Sequence, residues 1–242
     1  MKTNSNSNPE KIIAVKNILI AFVLASLFPG VAAAIDTPWY AGVSGGTART
    51  DRELVRNREA TIVGGVTNIR SDFDATDDAW KVFGGYRFNE MLAVEVNYAD
   101  LGRQRTLTTM TAPDGFNTAS ILVNRKITGY GADVVLTAPI GGYFNIFGRV
   151  GAFRSQLKAD TYLDGLINFT NGNPADRARS TTVNETVLRY GAGADWWFRP
   201  NIGVRLEWER YSSVGKKYEI GGSGTTGEAN TDGVFLGVMM RF

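Results

Sequence analysis

Of the 242 residues, 43% are hydrophobic, and 26 basic residues against 24 acidic ones leave a formal charge of +2. Cysteine is absent, which excludes disulfides, iron–sulfur clusters and thiol catalysis, and so is histidine, which excludes Ser-His-Asp hydrolases and imidazole-ligated metal sites. Lys2, Lys11, Lys16 and Glu10 all fall within the first 34 residues, so the remainder is formally neutral and no basic surplus points to nucleic acid.

The chain opens with those lysines, an apolar run from Ile18 to Phe28, Pro29-Gly30, and the small residues Ala32, Ala33 and Ala34. The run is shorter than the roughly 20 residues a spanning helix needs, and Ala32 and Ala34 stand where a signal peptidase site places small side chains. Residues 1–34 are therefore expected to be a secretory signal peptide, cleaved after Ala34 or Ala33, ahead of one domain over 35–242.

After it come alternating segments with no sustained helical period. The candidate strands are 38–46, 78–88, 91–101, 126–137, 143–154, 186–198, 201–211 and 232–242, eight in all, the count of the smallest closed barrels. Asn89-Glu90, 138–142 and Arg199-Pro200 read as tight turns. The stretches 47–77, 102–125, 155–185 and 212–231 read as long polar loops without structure of their own. Short turns at one end and long loops at the other suit an outer-membrane barrel, with loops outside and both termini in the periplasm.

Parity separates the two faces. In 91–101, Leu92, Val94, Val96 and Tyr98 alternate with Ala93, Glu95 and Asn97; in 201–211, Ile202, Val204, Leu206 and Trp208 alternate with Arg205, Glu207 and Glu209. A Lys or Arg on the lipid face near the midplane costs about 2–4 kcal/mol, so the polar set is expected to face inward. The same rule turns Arg149, Arg189 and Asp195 inward, and it sends Phe144, Ile146, Val150, Leu188 and Tyr190 out. Outward-facing Trp39, Phe88, Phe144, Trp196, Phe198 and Phe242 then fall at the turn end, and Trp80, Tyr98 and Trp208 toward the loop end. These are the two aromatic girdles expected at the interfaces of a membrane barrel. The last strand ends on Phe242, with Val234, Leu236, Val238 and Met240 on its apolar parity.

Trp39-Tyr40-x-Gly42, Phe83-Gly84-Gly85-Tyr86, Val94-Glu95-x-x-Tyr98-x-x-Leu101-Gly102 and Asp195-x-x-x-x-Pro200-x-Ile202-x-x-Arg205-Leu206-Glu207-Trp208 resemble the N-terminal transmembrane domain of the outer membrane protein A family. The ending Met240-Arg241-Phe242 resembles that family's Tyr-Arg-Phe. The resemblance implies a membrane-anchoring, all-β, eight-stranded antiparallel barrel whose narrow interior holds a charged network, with Glu95, Arg149, Asp195, Arg205 and Glu207 at the matching positions. Val135 stands where the family has an inward Lys, so ion-pair switching through that Lys is not carried over. Nor is cell-wall tethering, since no peptidoglycan-binding domain follows the barrel up to Phe242.

The function expected is structural and interactive: support of the envelope, and display of surface loops to host, lipopolysaccharide or phage. The alternative is a small low-conductance ion channel lined by Lys81, Arg87, Glu95, Asp133, Arg149, Asp195, Arg205 and Glu207. No enzymatic role is expected, because Ser44 and Ser155 have no visible base and Glu207/Glu209 more plausibly balance Arg205 and Arg189. No cofactor or metal is expected either; Asp72, Asp74, Asp77 and Asp78 lack the EF-hand offsets. The expected partners are outer-membrane lipid and lipopolysaccharide, the barrel-assembly machinery through Phe242, and a host or phage surface ligand, for a monomer.

Overall fold

A computed structural model of the protein describes residues 38–51, 68–111, 118–165, 176–216, 219–220 and 225–242. The expected signal peptide, 1–34, lies outside the described residues, as do the middles of the expected loops. The strands are β1 (Trp39–Thr50), β2 (Asn68–Asp74), β3 (Thr76–Arg87), β4 (Leu92–Thr111), β5 (Thr118–Pro139), β6 (Phe144–Gly165), β7 (Ala178–Arg199), β8 (Ile202–Val214), β9 (Glu219–Ile220), β10 (Thr225–Thr226) and β11 (Ala229–Arg241).

Antiparallel ladders run β4-β3-β1-β11-β8-β7-β6-β5 and return from β5 to β4, which closes an eight-stranded barrel. Closure pairs every backbone group within the hydrocarbon layer and leaves no edge there, the condition for strands to cross lipid. β2 continues the line of β3 across Ala75 and pairs with the far end of β4.

The tight turns are built locally. Asn89 Oδ1 accepts the N–H groups of Met91 and Leu92, both at 2.8 Å, which fixes the β3–β4 reversal. Gly141, at a φ of 99°, supplies the left-handed residue of the β5–β6 turn.

The expected loops require correction. β4 runs on to Thr111 and β5 starts at Thr118, so most of 102–125 is strand; β6 reaches Gly165 and β7 begins at Ala178, so much of 155–185 is strand too. Hydrophobic alternation fades past the membrane because outward positions become polar, while the ladder hydrogen bonds continue. A bulge at Gly102 (φ 79°) between Asp100 and Arg103 also reverses the parity of β4, so the membrane register cannot be read through it.

The interior is filled in layers. Nearest the turns, Tyr40, Phe83, Ala93, Val135, Phe147, Trp197 and Met239 form an apolar cluster. Toward the loops, Ala99, Leu101, Ile127, Phe153, Leu157, Val187, Tyr211 and Phe235 belong to a second one. Glycines make room for the rings: a Cβ at Gly85 would strike the Tyr40 ring, and one at Gly193 the Phe147 ring.

Candidate functional site

Between the two apolar clusters β3 to β8 present polar inward residues, which the Tyr40 hydroxyl of β1 joins, and the site is the network they form. Glu95 on β4 lies at its centre. One of its oxygens accepts from Arg149 Nη2 of β6; the other accepts from Arg205 Nη1 of β8 at 2.6 Å and from the Tyr40 hydroxyl of β1 at 3.1 Å. Arg205 also forks onto Asp195, with Nε to Oδ1 at 2.8 Å and Nη2 to Oδ2 at 3.1 Å. That planar bidentate pair fixes the guanidinium in one orientation.

A second branch runs through β8. Glu209 accepts from Lys81 Nζ at 2.7 Å, Arg149 Nη1 at 2.5 Å and the Tyr211 hydroxyl at 2.6 Å. Arg189 holds Asp133 bidentately and donates to Asn97 Oδ1 at 2.6 Å, and Asn97 in turn donates to Asp133 at 3.0 Å. Glu207 is the loose member. Its oxygens lie 2.5 Å from Lys81 Nζ and 3.4 Å from Arg149 Nη2, yet neither contact has hydrogen-bond direction.

All of these side chains are buried, and the cations rest on the rings of the adjoining apolar clusters: Arg205 lies 4.5 Å from the Phe147 centroid and 4.7 Å from that of Phe83, and Arg189 lies 5.4 Å from that of Phe153. Low dielectric strengthens each pair and penalises any group left without one. The arrangement can therefore lock seven of the eight barrel strands, all but β11, into one register.

Of the lumen residues read from the sequence, Glu95, Arg149, Asp195 and Arg205 are joined by hydrogen-bonded pairs, and Glu207 sits beside them at ion-pair distance. Sequence reading sets Asn97 on the inward face but not in the network, and leaves out Tyr40 and Tyr211. Their inward parity was the available signal, but parity does not say which neighbour a side chain will reach. Ser44 and Ser155 meet no base: Ser155 donates to the Glu185 carbonyl at 3.3 Å. Among the described residues no group of His, Cys, Asp or Glu side chains is placed to hold a metal ion.

The outer face carries Trp39, Phe88, Phe144, Trp196, Phe198 and Phe242 toward the turns and Trp80, Tyr98 and Trp208 toward the loops, all exposed. Tyr86 bridges Trp39 (4.8 Å) and Phe88 (5.0 Å), and Tyr190 meets Trp208 at 6.1 Å. Between the rings lie exposed Val82, Val94, Val96, Val134, Ile146, Val150, Leu206 and Leu236. From Ile202 to Trp208 this band covers about 20 Å of strand at about 3.3 Å per residue. An apolar belt on a closed barrel around a polar core is a structure for lipid, not water.

The family of the OmpA-like transmembrane domain matches residues 34–242. The chain belongs to this family, and its place is the bacterial outer membrane. Among solved structures it is similar to Ail, the attachment invasion locus protein of Yersinia pestis, at 17% identity over 84% of this chain and 98% of that one, with a TM-score of 0.42. Neisserial surface protein A shares 14% identity over 85% and 98% of the two chains, with a TM-score of 0.47. For the N-terminal barrel domain of Pseudomonas aeruginosa OprF the figures are 10%, 84%, 98% and 0.40. No curated protein sequence matches the chain.

Proposed function

We propose that this OmpA-like barrel is a surface-display protein, which anchors a protruding β-sheet in the outer membrane for contact with an extracellular partner and adds to envelope integrity. The observation that carries this reading is the length of the strands. From Tyr130 to Thr118, β5 continues for about 40 Å beyond the loop-end aromatics, at about 3.3 Å per residue. β2, β4, β6 and β7 accompany it.

Above the barrel these five strands continue as one sheet in the order β2-β4-β5-β6-β7. Among the described residues, β2 is paired only with β4, and β7 from Ala178 to Leu188 only with β6. Free strand edges are templates for an added strand from a partner. Maintaining so much ordered strand outside the membrane makes sense when its surface is used.

The interior supports an anchor rather than a conduit, since two apolar clusters flank a network whose charges meet one another. In this reading residues 1–34 are removed on export, both termini face the periplasm, Phe242 ends the strand that the barrel-assembly machinery engages, the protein is a monomer, and it has no enzymatic role.

The test replaces 104–124 by a short turn in the native gene. Adhesion to host cells should fall to the level of the gene deletion while heat-modifiable migration and detergent resistance persist. Full adhesion by the shortened protein, or stepwise conductance of the intact protein in planar bilayers, would overturn the reading.

A further inference from the structure

We propose that the connection between β8 and β11 is a strap folded into the loop-end mouth of the barrel, where the Glu185 carboxylate latches it and from which it is poised to lift. The inference goes beyond the display reading and holds whichever way the loop end faces.

β7 continues outward to Ala178, but among the described residues its outermost ladder partner on β8 is Tyr211, opposite Arg189. Beyond that pair β8 turns inward. Ser213 (φ 58°) and Gly215 (φ 87°) both take the left-handed conformation, which breaks an extended strand. Asn230 Oδ1 holds the first bend by accepting the Ser213 N–H at 3.1 Å, and the ladder with β11 slips between Ala229 and Thr231. A straight β8 would set Gly215 opposite Glu185, backbone to backbone. The Gly215 N–H goes instead to Glu185 Oε1, and Glu185 is a buried, inward side chain. The strap therefore lies about one side chain inside the wall. It reaches β6 as well: a Cβ at Gly215 would touch Leu157 at 3.7 Å and stand 2.5 Å from the Gly227 carbonyl oxygen, so the two legs meet where only glycine fits. Val214, Gly215, Gly227 and Ala229 are all buried.

A polar layer is shut in at this mouth. Thr50 and Thr231 share a hydroxyl hydrogen bond at 2.9 Å, and Gln104 donates to Thr50 at 2.5 Å. Gln104 Oε1, and Thr106 Oγ1 two residues further out on β4, have no protein partner although both residues are only 1% exposed. Polar atoms in that state disfavour closure, and water satisfies them once the mouth opens. Ser213, a non-glycine residue at positive φ, weighs on the same side. Closure is favoured by the burial of Val214 with Leu157 in the outer apolar cluster and by the carboxylate hydrogen bond of Glu185. Apolar side chains at 104 and 106 would suit a mouth that stays shut; Gln and Thr suit one that admits water.

Glu185 stands on the part of β7 that, among the described residues, is paired only with β6, so the latch ties the mouth to the protruding sheet. Displacing that stretch of β7 draws the acceptor off Gly215 and frees the strap. The turn-end apolar cluster and the charged network stay in place below, so lifting the strap wets the mouth without opening a conduit.

The chain has no cysteine, so single cysteines report on the mouth. In the full mature protein in neutral detergent, Thr106→Cys should react with an anionic methanethiosulfonate at least about tenfold more slowly than Thr182→Cys on the exposed face of β7. Adding Glu185→Leu should speed the Thr106→Cys reaction about thirtyfold, and Gly215→Ala should speed it comparably through the other partner. Glu185→Gln keeps an acceptor oxygen and should stay within about fivefold of the parent. Heat-modifiable migration verifies that each variant is folded. If Thr106→Cys fails to fold, the Gly215 amide of the cysteine-free protein still has to be protected from hydrogen exchange, and to lose that protection in Glu185→Leu but not in Glu185→Gln. Equal rates for Thr106→Cys and Thr182→Cys, no acceleration by Glu185→Leu, or the same acceleration by Gln as by Leu would overturn the latch. Planar-bilayer conductance remains a separate readout, because it scores the anchor reading and not the strap.

Discussion

Arg205 Nη1 and Glu95 Oε2 stand 2.6 Å apart across the barrel, although 110 residues separate them in the chain. Removing either partner strands a buried charge, which costs about 3–5 kcal/mol where water cannot compensate. Glu95→Ala and Arg205→Ala should each lower the urea midpoint of the protein folded into lipid vesicles. The double replacement should lose less than the sum by about 0.5–3 kcal/mol. Simple additivity would show that the two residues do not act as a pair.

Glu207 and Glu209 are two residues apart on one inward face but differ in what they accept. Glu209 takes three directed hydrogen bonds, whereas Glu207 is held by ion-pair proximity to cations such as Lys81 and Arg149. The central network also carries one more carboxylate than it has cations, with Glu95, Asp133, Asp195, Glu207 and Glu209 set against Lys81, Arg149, Arg189 and Arg205. Glu209→Gln should therefore destabilise by at least about 1–3 kcal/mol, while Glu207→Gln should be near neutral. Equal losses in vesicle unfolding titrations would contradict this ranking.

Gly85 gives a test of how the lumen is packed. A Cβ there would meet the Tyr40 ring, whose hydroxyl donates to Glu95, so Gly85→Ala must push the ring off its acceptor. The expected loss is about 1–3 kcal/mol. It should shrink in a Tyr40→Leu background, where no ring competes for the space. Gly45→Ala is the control, because a Cβ there meets nothing within 4 Å, and it should leave the midpoint unchanged or slightly raised. The comparison fails if Gly45→Ala and Gly85→Ala behave alike.

Within the membrane the fold was legible because lipid imposes a strict rule: Leu206 must look out where Arg205 looks in, and the turns at Asn89 and Pro200 carry their own chemistry. Beyond the aromatics the rule lapses. On β4 the outward residues become Arg103, Arg105 and Thr109, so the greasy alternation that marked the strand disappears while its hydrogen bonds to β5 persist. The site was legible as a set of inward charges, not as a set of pairs. That Arg205 reaches both Glu95 and Asp195, and that Tyr40 and Tyr211 complete the acceptors, depends on rotamers packed against Phe83 and Phe147, which spacing does not encode.

The sidedness we propose rests on the asymmetry of the two ends. At the turn end Asn89 closes β3 onto β4 within a few residues, a connection of the short kind that membrane barrels generally keep in the periplasm. At the other end β4 through β7 extend far past the aromatics, and the proposal sets them outside because membrane barrels generally carry their longer connections there. An epitope inserted after Asn173 should be reached by antibody on intact cells, whereas one beside Asn89 should become accessible only after the outer membrane is permeabilised. The opposite labelling would place the protruding sheet in the periplasm and remove the basis for surface display, even though the barrel itself would stand.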